Sequence, residues 1–280
     1  MAHHSRSNSL PSASHPLVSE ADRHLSRLAS SESASTSSSS LSHKLNGLQD
    51  LHDIIEKLLL LPFTQQALGQ DQHQKFVDEL LDGSLRLFDL CTTAKDALLQ
   101  TKECVQELQS VLRRRRGTEI THEVRKYLAS RKTVKKAILK ALKNMKNKES
   151  TTAFNKDSEI GATINILQKA QSVTLNVLES LLYFVSGLEA ESKSSRWSVV
   201  SKLLRNKRIG CEGGQHENEI ANAEATTLSI TSGKASMQIE EVQTELQKSE
   251  SCIQDLEEGL ESIYRRLIKA RATILNILNH

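Results

Sequence analysis

The chain has 280 residues, only 3% aromatics, three prolines and a formal net charge of +3. Sheets draw on aromatic and β-branched residues, whereas Leu, Ala, Lys, Glu and Gln suit helices, so the composition is poor material for a sheet and good material for helices. The small net charge names no partner, but it hides an uneven distribution. Arg113 to Lys148 holds 14 Lys or Arg against 2 Glu, a balance of +12. Glu212 to Glu261 holds 12 Asp or Glu against 2 Lys, a balance of −10. The chain thus has a basic centre and an acidic tail.

Residues 1–40 read as a disordered, serine-rich tail, because eight of the eleven residues from Ser30 to Ser40 are serine. Such a segment buries too little apolar surface to offset its ordering entropy. Leu17, Leu25 and Leu28 suit at most a short amphipathic turn. No apolar run follows the start, so no secretory signal is expected. The first 19 residues carry no acid, which makes plastid targeting the alternative to a cytoplasmic or peripheral-membrane location. In the tail, Arg6, Ser7, Ser9 and Pro11 form a phospho-docking pattern of the kind 14-3-3 proteins bind. A phosphate on Ser9 satisfies an arginine cluster in the partner, Arg6 suits a basophilic kinase, and Pro11 turns the chain out of the groove.

The first helix is expected over 42–61, with Leu41, Leu45, Leu48, Ile55 and Leu58 on one face and Pro62 as its stop. The second is expected from Asp71 to Gly117. Its stripe is heptad-like: Val77, Ser84, Cys91, Leu98, Val105 and Leu112, interleaved with Leu80, Leu87, Ala94, Thr101 and Leu108. At 1.5 Å per residue it is roughly 70 Å long. Gly83 is a point of interruption, Gly117 a C-cap, and Arg113, Arg114, Arg115 and Arg116 suit the negative end of the helix dipole.

A third helix, 118–147, turns Ile120, Val124, Tyr127, Val134, Ile138, Ala141 and Met145 inward and leaves its other faces cationic. Lys132, Lys136, Lys140 and Lys143 follow one another by three or four residues along one of those faces. A fourth helix, 157–188, is apolar nearly all round, the mark of a central helix. Its stretch from Ala170 to Leu188 fails as a membrane span because Glu179 sits at its middle. A short helix over 194–205 carries Arg196, Trp197 and Lys202, an interface anchor or a core anchor under a loop. Gly210 to Gly214 is a glycine-rich loop.

The last helix begins weakly near Asn218, breaks around Gly233 and then becomes strongly heptad-patterned. Ile239, Leu246, Ile253, Leu260, Leu267 and Ile274 alternate with Val242, Ser249, Leu256, Ile263, Ala270 and Ile277, and only Ser249 breaks the apolar rule. A stripe of that length must bury against other helices. Pairing it antiparallel with the second helix in the same chain buries both stripes and sets opposite charges beside the seam. This is preferred to a homodimeric coiled coil. The expected fold is therefore all-α: an elongated helical bundle with long heptad-patterned helices and a disordered N-terminal tail. Its divisions are 1–40 tail, 41–208 helical bundle with the cationic helix 118–147, 209–233 acidic glycine-containing linker and weak helix, and 234–280 C-terminal heptad helix packing on the bundle.

The cationic helix suits phosphates of an anionic membrane surface. Nucleic acid is disfavoured, since Tyr127 is its one aromatic and no nucleic-acid-binding signature accompanies it. Cys91, Cys104, Cys211 and Cys252 are far apart, so no metal site is expected. Cys211 and His216 lack further ligands. No phosphate loop, nucleophile elbow or His-Glu-x-x-His occurs, so neither an enzyme nor a cofactor is expected.

Several blocks resemble a known family. They are Arg6-Ser7-Asn8-Ser9-Leu10-Pro11, Leu80-Leu81-Asp82-Gly83-Ser84-Leu85-Arg86-Leu87 and Leu108-Gln109-Ser110-Val111-Leu112-Arg113-Arg114-Arg115. Later come Ser195-Arg196-Trp197-Ser198-Val199-Val200-Ser201-Lys202-Leu203 and Arg265-Arg266-Leu267-Ile268-Lys269. Across essentially the whole chain they resemble a plant-specific family of unknown function related to the Bypass proteins. The resemblance implies an all-helical protein and a link to root and shoot development. It carries no catalytic residue over. The expected function is a non-enzymatic adaptor or scaffold in plant development with a phosphorylatable tail; the alternative is a peripheral membrane protein.

Overall fold

The computed structural model describes residues 15–30, 37–114, 117–145, 159–188, 218–230 and 235–279. Among them are eight α-helices, one 3-10 turn at Asp71–His73 and no strand. The helices are α1 Pro16–Ser30, α2 Ser38–Leu59, α3 Pro62–Leu68, α4 Gln74–Arg114, α5 Gly117–Met145, α6 Glu159–Ser186, α7 Glu219–Ile230 and α8 Ala235–Leu278.

The two long heptad helices pair antiparallel within the chain. Lys95 lies opposite Glu261, Lys102 opposite Glu257 and Gln106 opposite Glu250. Along this seam Val242, Leu246, Ile253, Leu256, Leu260 and Ile263 of α8 are buried, as are Leu87, Ala94, Leu98, Val105 and Leu108 of α4. Ser249 is buried with them. α2 and α6 pack on the pair at one end, and α5 and α7 at the other. Each end is thus a four-helix cross-section, and the apolar interior forms two clusters along the same axis. α6 touches α1, α2, α3, α4, α5 and α7, which is why its sequence is apolar on nearly every side.

Three local expectations change. Residues 16–30, placed in the tail, form α1: Val18, Ala21, Leu25 and Leu28 are buried against α2 and α6. Gly47 makes room for it, since a Cβ there would stand 2.9 Å from Leu28 Cδ2. Gly83 does not interrupt α4. Its missing side chain admits Gln171 of α6, whose Nε2 donates to Leu80 O at 2.7 Å. Gly117 opens α5 rather than closing α4.

Other punctuation acts as expected. Pro62 stops α2, and it also starts α3, where a missing N–H costs nothing. The end of the serine run, by contrast, leaves the expected tail: Ser38 to Ser40 open α2, and Ser37 caps it with Oγ accepting from Ser40 N at 3.2 Å. The short helix at 194–205, the loop Gly210–Gly214 and Cys211 lie outside the described residues.

Candidate functional site

α5 divides its cations between two opposite faces. Val124, Tyr127, Val134, Ile138 and Leu142 are buried toward the bundle. Arg131 belongs to that inward row and is fully buried. Its guanidinium donates from Nη1 to Thr101 Oγ1 of α4 at 3.0 Å and from Nη2 to the Val185 carbonyl of α6 at 2.7 Å. Nε meets Glu224 of α7 at 3.2 Å, and Lys135 Nζ reaches the other Glu224 oxygen at 2.6 Å.

The end of α6 explains the need for this cluster. Its last carbonyls have no helical partners and carry the negative end of the dipole. Gly187, at φ 66°, turns the chain there. Asn218 donates to the Phe184 carbonyl at 2.9 Å while its own oxygen caps α7 through Ala221 N. Arg131 thus ties four helices at one point. The heptad register already placed position 131 on the inward stripe; its charge hid it.

The outward face differs. Arg125, Lys132, Lys136, Lys140 and Lys143 are exposed and make no ion pair or hydrogen bond within the described residues. Their spacing draws one row about 27 Å long. Lys126, beside the row, holds Glu107 at 2.6 Å and Glu123 at 3.3 Å. An internal match between this row and the acidic segment of α8 is not made. α5 packs on α4, α6 and α7, diagonally across from α8, and the α8 acids Glu257 and Glu261 are held by Lys102 and Lys95 of α4.

The other expected site residues are not brought to this row. Arg113 and Arg114 are exposed at the end of α4 and bond back to Gln109 and Ser110 of their own helix. Arg115, Arg116, the docking residues Arg6, Ser7, Ser9 and Pro11, and the segment of Arg196, Trp197 and Lys202 lie outside the described residues.

Two further features escaped sequence reasoning. Arg266 of α8 grips Asp53 of α2 at 2.7 and 3.0 Å and holds its carboxyl below the usual carboxylate range. The adjacent His52 is buried and hydrogen-bonded to Thr174 Oγ1 of α6 at 3.0 Å; burial, and then Arg266, pulls it down to about 4. This cluster braces α2, α6 and α8. On the outer side of α4 and α8 lies a groove of about 780 Å³ lined by Cys91, Lys95, Leu99, Glu261, Tyr264 and Arg265. Burial pushes the Cys91 thiol up to about 12, so it is not an activated nucleophile. Among the described residues no group of three or more His, Cys, Asp or Glu is placed to hold a metal.

No helix among the described residues is long and apolar enough to cross a membrane. A family model described as Protein BPS1 matches residues 44–277, from α2 almost to the end of α8. Searches of curated proteins and of solved structures return no match. The family match implies a role in plant development. It spans all four helices joined by Arg131 and the whole cationic row, and by that coverage the chain belongs to the Protein BPS1 family.

Proposed function

We propose that the protein is a non-enzymatic adaptor or scaffold in plant root and shoot development. It acts in the cytoplasm or at a membrane periphery, through charged faces of a rigid bundle and a phosphorylatable N-terminal tail. The observation that supports this reading is the uncompensated row on α5: five exposed cations held in line by a helix whose other face is locked into the core. A rigid row of like charge is suited to contact with a partner of opposite charge.

The tail is tested by itself. A synthetic peptide of residues 3–14 phosphorylated at Ser9 is expected to bind a 14-3-3 protein with a Kd of about 1 μM or tighter, and the unphosphorylated peptide is not. Arg6→Ala should lower phosphorylation of Ser9 by a basophilic kinase. Equal binding of the two peptide forms would end this part of the proposal.

A second reading places the same row on anionic lipid, supported by the absence of any acid from α5 after Glu123. Each lysine near such a surface adds about 1 kcal/mol. On this reading the protein sediments with phosphatidylserine-containing vesicles at low salt. The variant Lys132→Glu, Lys136→Glu, Lys140→Glu, Lys143→Glu then stays in the supernatant with unchanged helicity. A parent protein that never sediments leaves the adaptor reading alone.

A further inference from the structure

We propose that a second copy of this chain docks on the α4–α5 face, so that the cationic row of α5 in each copy meets an acidic row of α4 in the other. Asp82, Asp89, Asp96 and Glu103 recur every seven residues along α4. All four are exposed, and none makes a side-chain ion pair or hydrogen bond within the described residues. Their row is about 31 Å long, close to the roughly 27 Å of the cationic row. Both rows lie opposite the buried stripes of their helices, so each points away from its own bundle.

The two rows stand at matching heights. α4 and α5 run antiparallel, with Gln100 bonded to Ser130, Thr101 to Arg131 and Glu107 to Lys126. Counting from these pairs, Glu103 falls between Arg125 and Lys132. Asp96 falls between Lys132 and Lys136, and Asp89 between Lys140 and Lys143. Rotation by 180° about an axis parallel to the bundle keeps every residue at its height and lays α4 of one copy over α5 of the other. Glu103, Asp96 and Asp89 then face cations, while Asp82 falls beyond the end of α5, and the contact is made twice, as in an isologous interface. Ala129, exposed within the cationic row, permits close approach.

A second copy fits this face better than a lipid surface does. A membrane laid on α5 would bring the α4 acids of the neighbouring helix to within about a Debye length of like charge, roughly 10 Å at 0.1 M salt. A second copy uses both rows and supplies their register from the same sequence. The contact is independent of the α4–α8 seam, whose apolar stripes are consumed inside each chain. The proposal rests on the adaptor reading and takes a second copy as the oppositely charged partner of the α5 row; the tail of that reading is tested separately with a peptide and survives a failure here.

The test is the mass of the full chain in solution by sedimentation velocity, at low ionic strength and in about 1 M salt, where the Debye length falls to about 3 Å. The parent is expected to form a dimer of the 31.2 kDa chain at low salt and to dissociate at least tenfold more readily in high salt. Two charge-reversed variants, Asp89→Lys, Asp96→Lys, Glu103→Lys and Lys132→Glu, Lys136→Glu, Lys140→Glu, are each expected to be monomeric, because like rows then face each other. An equimolar mixture should recover a heterodimer, since both contacts are again between opposite charges. If a reversed variant loses its helical circular dichroism, the neutral set Asp89→Asn, Asp96→Asn, Glu103→Gln replaces it and should weaken the dimer at least tenfold. A parent that is monomeric at low salt, folded variants that dimerise as the parent does, or a mixture that stays monomeric would each overturn the proposal. Sedimentation of a monomeric parent with anionic vesicles would give the α5 row to the membrane instead.

Discussion

Leu256→Asp should abolish cooperative folding of the bundle. Leu256 is fully buried on the α8 stripe, inside the larger apolar cluster shared with α2, α4 and α6. A carboxylate there stands among the apolar side chains of that cluster, and an unpaired buried charge costs several kcal/mol. Losing the leucine's own packing adds about 2–5 kcal/mol. The sum is comparable to the whole stability of an ordinary domain, about 5–15 kcal/mol. Thermal melting by circular dichroism should lose its single sharp transition, and Ile263→Asp should behave alike. Leu275→Asp on the same helix is the control: Leu275 is 39% exposed, and its Tm should stay within a few degrees of the parent. A Leu256→Asp protein that melts like the parent would mean that α8 does not pack as described.

Arg131→Met should be the next most damaging change. It keeps most of the side-chain volume but leaves the Val185 carbonyl, Thr101 and one oxygen of Glu224 without their donor. Breaking a buried ion pair from one side costs about 3–5 kcal/mol. For a domain of this size that is a fall in Tm of roughly 6–20 °C. Arg131→Lys should recover little, because an ammonium cannot present three donors in the fork that reaches three helices. Adding Glu224→Gln to Arg131→Met should deepen the loss, since Lys135 still holds Glu224 in the single variant and the amide would leave that cation without its partner. A Tm within 2 °C of the parent for Arg131→Met would show that the joint carries no stability. Both predicted losses fall within the span matched by the Protein BPS1 family, so they concern the family fold rather than its termini.

The all-α class and the order of the long helices were legible in the sequence because periodicity is a local property. A stripe at heptad spacing on 74–114 and again on 235–278 needs no knowledge of the partner to announce a buried seam. The apolar girth of α6 announced a central helix for the same reason. The division of charge along the chain was equally readable, and in the structure Lys132, Lys136, Lys140 and Lys143 are exposed.

Tertiary structure alone decided what stands opposite each face. α1 buries four apolar residues set among serines and charges, too few to order themselves, and it is held because α2 and α6 offer a groove that Gly47 leaves open. Arg131 and Lys132 are neighbours in sequence with opposite fates. One meets the Val185 carbonyl of α6 and an acid of α7, groups 54 and 93 residues away, and the other is exposed. Burial of a charge depends on long-range partners of fixed geometry, which a sequence pattern does not contain. Spacing fixes the face of a helix on which a residue lies, while the meeting of helix ends decides whether a charge on that face braces the core or is left free to bind.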